Sequence, residues 1–209
     1  MADQTKSSEL WTPRSVEDTK RIYADWADTY EDDVTGMAYA TPDRIALALV
    51  DQNVDLTQPV LDFGCGTGLS GAALRRHGFS KVDGTDISVE MMGHAQAKTL
   101  DGQPLYRQLW LGDAKIFSVK TGDYGIIVAT GVISLGAAGP DMLGELLGAL
   151  STGGLLAFSY NDPTLADRSY TDALDNVLSD GTATLVHRAH GPHLNSKVTG
   201  SDVIILRRS

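Results

Sequence analysis

The segment Val60-Leu61-Asp62-Phe63-Gly64-Cys65-Gly66-Thr67-Gly68 constrains the fold more than any other part of the chain. A short apolar run of strand length passes straight into three glycines at alternate positions, and a helix-length segment from Leu69 to His77 follows. Glycine puts no Cβ in the way, so the backbone amides of such a loop can approach a ligand closely. Alternating glycines are also an ordinary strand-to-helix turn, so the surrounding pattern has to decide.

That pattern repeats strand, helix, strand. The apolar runs predict strands at Val60–Phe63, Lys81–Asp86, Leu105–Leu111, Gly125–Thr130 and Leu155–Tyr160. Helices are expected at Leu69–His77, at Ser88–Leu100 with Ser88 as cap, and at Asp141–Leu150. Such alternation implies an α/β protein, a mainly parallel sheet between two helical layers. After a helix over Asp167–Leu178, strands at Ala183–Val186 and Val203–Leu206 give an antiparallel C-terminal strand. Two helices precede the sheet. The first starts at Ser15 and carries Tyr23, Trp26 and Tyr30 on one face, and the second takes Thr41 as cap, with Pro42 in its first turn. One folded unit is expected over residues 58–209, with 1–57 a helical segment covering it.

Ligands of such sheets bind beyond the carboxyl ends of the strands. Two more acids are expected there. Asp86 ends the second strand, 18 residues after Gly68, where a carboxylate can accept both hydroxyl protons of a ribose, and Asp113 follows the third. Together Asp62, Asp86 and Asp113 point to an adenosine-containing ligand with a positively charged portion.

Over residues 58–160 the sequence resembles the class I S-adenosylmethionine (SAM) dependent methyltransferases. Asp62 to Gly68 is similar to the family's first motif, Gly84-Thr85-Asp86-Ile87-Ser88 with Met91-Met92 to its second, Gly112-Asp113-Ala114 to its third and Gly153-Gly154 to its last. Tyr23 to Tyr30 also resembles the opening of a subgroup that includes the methyltransferase-like protein of the Williams–Beuren syndrome region. The resemblance implies a Rossmann-like three-layer sandwich using SAM and leaving S-adenosylhomocysteine (SAH). It implies Gly64, Gly66 and Gly68 along the methionine and ribose, Asp86 on the ribose hydroxyls, and Ile87 and Met91 on adenine. Asp113 would accept the adenine amine and Ala114 offer a backbone contact, while Asp62 would act on the methionine amino end, directly or through water. Tyr23, Trp26 or Tyr30 would close over the cofactor, and the acceptor would enter near Thr130, which joins the cofactor-binding set. No catalytic residue is implied.

Two other readings stay open. Gly66-Thr67-Gly68-Leu69-Ser70-Gly71 is a literal dinucleotide fingerprint, but Asp62 would crowd a pyrophosphate, and the positions four after Tyr160 and Tyr170 are Thr164 and Leu174 instead of lysine. A protein that binds SAM or SAH without catalysis is the second, since Gly125 and Thr130-Gly131 lack the acid or histidine common around the fourth strand.

The chain's 209 residues carry a net charge of −10, which argues against nucleic acid as partner and for a small-molecule acceptor. No apolar run reaches membrane-spanning length, and with Cys65 the single cysteine a cytoplasmic protein is expected. No metal is expected: His187, His190 and His193 flank Gly191-Pro192 without an added acid or cysteine and read as a solvated hairpin. Asn161-Asp162-Pro163 reads as a turn and cap. The oligomeric state is left open.

Overall fold

The computed structural model describes residues 15–113, 119–195 and 198–209. The helices are α1 (Val16–Gly36), α2 (Thr41–Val50), α3 (Leu69–Arg76), α4 (Val89–Ala97), α5 (Met142–Ala149), α6 (Asp162–Ala166) and α7 (Arg168–Ser179). The strands are β1 (Pro59–Phe63), β2 (Lys81–Asp86), β3 (Thr99–Leu100), β4 (Gln103–Pro104), β5 (Gln108–Leu111), β6 (Ile126–Ala129), β7 (Leu155–Asn161), β8 (Ala183–Pro192) and β9 (Gly200–Arg208). Seven of the strands form one sheet in the order β5-β2-β1-β6-β7-β9-β8, and β3 pairs with β4 separately. β9 runs antiparallel to both β7 and β8, while β5, β2, β1, β6 and β7 are mutually parallel. The expected Rossmann-like sandwich with its antiparallel C-terminal strand is the fold observed.

Strand alternation explains the layers. Val60, Ile126, Val128, Leu155, Ala157, Val203 and Ile205 face one core, with Ile45 and Leu49 of α2 and Ala73 and Leu74 of α3. Their neighbours Leu61, Ile127, Leu156, Phe158, Ile204 and Leu206 face the other, with Leu143 and Leu147 of α5 and Leu174 of α7. Adjacent residues of a strand point to opposite faces, so a strand covered on both sides must be apolar at every position. Full burial of β6 and β7 follows.

The chain runs β1, β2, β5 toward one edge and then returns to place β6 beside β1. This reversal puts the carboxyl ends of β1 and β6 at the switch point where such sheets bind ligands. Thr41 does not cap α2. It is the first helical residue, after Ala40, and its hydroxyl contacts His193 Nδ1 at 2.7 Å and Ser201 Oγ at 3.1 Å. No described helix is long and apolar enough to cross a membrane.

Candidate functional site

The chain leaves β1 through a loop with three residues at positive φ: Gly64 at 69°, Gly66 at 53° and Gly68 at 96°, the last preceding α3. Side chains disfavour this region, which is the backbone reason for alternating glycines. Gly64 N and Cys65 N both donate to Thr85 O, at 2.8 and 3.0 Å, and tie the loop to the end of β2. Asp86 completes the tie. Its Oδ2 accepts from Gly66 N at 2.8 Å and its Oδ1 from Ser88 N at 2.9 Å, joining the loop to the start of α4. A Cβ on Gly66 would meet no atom within 4 Å, whereas one on Gly64 would lie 2.4 Å from Val132 Cγ2. The loop is therefore closed toward the segment after β6 and open at Gly66.

Asp62 lies beneath this loop. It is 0% exposed and accepts hydrogen bonds from Ser70 Oγ at 2.6–2.7 Å and from Tyr106 OH at 2.7 Å. The Tyr106 ring occupies space left by two glycines: a Cβ on Gly71 would come 2.3 Å from its hydroxyl, and one on Gly84 would come 2.9 Å from its ring. The last glycine of the literal dinucleotide fingerprint thus accommodates a tyrosine. Of the two roles implied for Asp62, direct contact with a ligand is not available to a fully covered carboxylate in this conformation.

Helix α1 crosses the same edge of the sheet. Its Thr19 Oγ1 donates to Gly136 O at 3.4 Å, in the segment after β6, and its Asp28 Oδ1 lies 3.4 Å from His94 Nε2 of α4. Between these contacts Tyr23, Trp26 and Tyr30 form one aromatic group, with centroid separations of 6.3, 6.5 and 4.7 Å. Burial, then the neighbouring Tyr39, Tyr23 and Asp86, pushes the Tyr30 phenol far up; burial, Tyr23 and Asp62 do the same to Tyr39. Tyr39, in the connection between α1 and α2 where no periodicity marks it, brings its hydroxyl 3.1 Å from where a Cβ on Gly131 would sit.

Residues 60–154 match the family of methyltransferase domains. Over these residues the chain is similar to methyltransferase domains. It is 30% identical over 163 residues to human methyltransferase-like protein 27, covering 75% of this chain and 63% of that one, less than two thirds of the relative's length. Its fold is similar to that of magnesium protoporphyrin IX methyltransferase from Synechocystis with bound SAM (TM-score 0.63, 18% identity, 100% of this chain and 92% of the other). It is also similar to a protein of Pyrococcus horikoshii described as a candidate RNA methyltransferase (TM-score 0.62, 12% identity, 80% and 83% covered).

The Synechocystis enzyme is described with bound SAM, and the residues present here fit that compound. Each Asp86 oxygen holds one amide and retains a lone pair for a ribose hydroxyl. Thr67 Oγ1 in the loop and Thr130 Oγ1 at the end of β6 are buried hydroxyls with no partner among the described residues. Of the residues expected near adenine, Ile87 is half-buried and Asp113 exposed, and Gly112 N donates to Asp86 O at 2.8 Å. Met91, expected beside adenine, is only 2% exposed. Ala114 lies outside the described residues.

His193 corrects the expectation of a solvated hairpin. β8 and β9 are paired, but His193 is 4% exposed, held by Thr41 and set edge-on to the Tyr39 ring at 5.2 Å. Asn161 caps α6 through Thr164 N, and Asp162 Oδ2 accepts from Gly200 N at 2.9 Å, as a turn and cap reading requires.

Asp62 and His193 make opposite pH-dependent contributions. Burial raises the Asp62 carboxyl from 3.8 to about 6, against the Ser70 and Tyr106 hydroxyls, so the folded chain binds more protons than the unfolded one between those values. Stability then falls as pH rises through that window. Burial lowers His193 from 6.5 to about 4, so there the unfolded chain binds more protons and stability rises with pH. Denaturant unfolding across this range should show the slope against pH turning more positive in Asp62→Asn and more negative in His193→Gln. Parallel profiles for wild type and both variants would contradict it.

Proposed function

We propose that this domain transfers the methyl group of SAM to a small-molecule acceptor entering at the carboxyl ends of β6 and β7, beside Thr130 and Gly131. The observation that carries the reading is the glycine loop, open at Gly66 and joined to Asp86, with α1 in contact with the segment after β6 and with α4 beside it. SAM supplies a methyl group on a sulfonium, and in-line displacement needs alignment more than proton transfer. The chain's part is to hold ribose and adenine through Asp86, Ile87 and Asp113, and to exclude water with Tyr23, Trp26, Tyr30 and Tyr39. Asp62 supports the loop from below and acts on the methionine end through water. Asp162 and His193 are engaged in structural hydrogen bonds, so neither is assigned as a base.

A covered site and a charge of −10 favour a small acceptor over RNA or DNA. In this reading residues 1–57 act as the lid segment of the domain formed by 58–209, and the protein works in the cytoplasm. The purified protein, given labelled SAM with a small-metabolite extract, with total RNA and with a protein fraction, should label the first. Label only in RNA or protein would overturn the choice of acceptor, and SAM binding with no transfer to any of them would favour a non-catalytic binder. Hydrogen exchange tests the lid: residues 20–35 should gain protection when SAM is added. Protection that is already complete without SAM would make α1 a core helix instead.

A further inference from the structure

Lys98 stands where three parts of the site meet. It follows α4 directly, and its backbone is fixed on both sides: its N–H donates to Ala95 O at 3.3 Å, and its carbonyl accepts from Leu105 N at 3.1 Å. From there the side chain runs across the glycine loop. Its Cδ passes 3.4 Å from where a Cβ on Gly68 would sit, and its Nζ donates to Thr67 O at 2.7 Å. The same ammonium pairs with the Glu31 carboxylate on α1. Only 24% of the Lys98 side chain and 34% of the Glu31 side chain are exposed, so solvent screens this pair less than the His94–Asp28 contact one turn away, where Asp28 is 97% exposed.

The peptide groups that Lys98 touches belong to the cradle. Thr67 lies between Gly66, whose amide is held by Asp86, and Gly68, whose amide donates to Cys65 O at 2.9 Å. A loop with three residues at positive φ has few side-chain constraints of its own, so an ammonium on one of its carbonyls restricts how its peptides turn. Because the other side of that ammonium holds α1, displacement of the helix removes a partner from the group that steadies the loop.

We infer that Lys98 is a positioning residue for the cofactor, linking the aromatic helix α1 to the glycine loop so that the two respond to SAM as one unit. The inference rests on the reading that α1 covers the bound cofactor. Lys98 lies outside every motif of the family resemblance, and its two contacts make lid and loop act together.

The test uses the full chain with Lys98→Met, Lys98→Arg, Glu31→Gln and the double variant Lys98→Met/Glu31→Gln. Methionine keeps the stem over Gly68 and removes the charge. Lys98→Met should weaken SAM by about 10-fold or more, mainly through faster dissociation, and arginine should restore most of the loss. Glu31→Gln should weaken SAM less, since Lys98 keeps its bond to Thr67 O. The double variant should be no worse than Lys98→Met alone, the sign of two groups acting through one link. Hydrogen exchange without cofactor supplies an arm that does not depend on SAM: protection of residues 20–35 should fall in Lys98→Met while β1, β6 and β7 keep theirs. Unchanged SAM dissociation in Lys98→Met, additive losses in the double variant, or unchanged exchange in α1 would each overturn the role of Lys98. A wild-type chain that fails to bind SAM would instead remove the cofactor reading on which the inference rests.

Discussion

Replacing Asp86 with alanine should lower the affinity for SAM by about 100-fold or more while the protein remains folded. A carboxylate has about four lone-pair positions, and the amides of Gly66 and Ser88 occupy one on each oxygen, at 2.8 and 2.9 Å. Two positions remain for two ribose hydroxyls. Hydrogen bonds to a charged group contribute about 1.5–3 kcal/mol each, so losing both removes about 3 kcal/mol even at the low end, which is the stated factor. Alanine also releases the amide of Gly66 and loosens the loop, which adds to the loss. Asp86→Asn keeps one acceptor oxygen and should fall between the two. Calorimetric titration measures each affinity, and a folded Asp86→Ala protein with unchanged affinity would remove Asp86 from the site.

The second large effect separates two glycines of one loop. Gly66→Ala should bind SAM at least about 100-fold more weakly yet stay folded, because its Cβ would meet no protein atom within 4 Å and would project into the open side of the cradle. Its positive φ alone costs about 1–2 kcal/mol. Gly64→Ala meets the same backbone cost and also brings a Cβ to 2.4 Å from Val132 Cγ2, so the segment after β6 has to move. Its stability should fall by about 2–4 kcal/mol in denaturant unfolding. Wild-type SAM affinity in Gly66→Ala would show that the open side of the loop is not the ligand side.

β6 and β7 were legible because both of their faces are covered, which forces continuous apolar runs. The ends of other elements were less so. Helix α4 was expected to reach Leu100 but stops at Ala97, since Asp101 and Gly102, at φ 51° and 75°, form the tight turn of the β3–β4 pair. An Asp-Gly pair is a hairpin signal, and here it overrides the longer helical pattern before it. β5 starts at Gln108 instead of Leu105, because Leu105 and Tyr106 turn inward, Tyr106 toward Asp62. β8 continues to Pro192 although His187 to Pro192 reads as polar loop, because an edge strand needs only one covered face.

At the site, the glycines and Asp86 were legible since their spacing is local and their chemistry is specific. Ser70, Tyr106, Tyr39 and Lys98 were not. Ser70 lies just past the loop, Tyr106 and Lys98 reach it from distant parts of the chain, Tyr39 lies in a connection between helices, and nothing in the neighbourhood of any of them distinguishes it from a surface or core residue. Gly71 and Gly84 gave the one available hint, as glycines in a helix and a strand where a large side chain had to approach closely.

In the proposed function the loop and its acids hold SAM and do not hold a dinucleotide. Calorimetric titration of the full chain with SAM, SAH and NADH in turn tests it most directly. Saturable binding of SAM and SAH at one site, with no heat from NADH, is the predicted result; saturable binding of NADH with no response to either sulfur compound would contradict it.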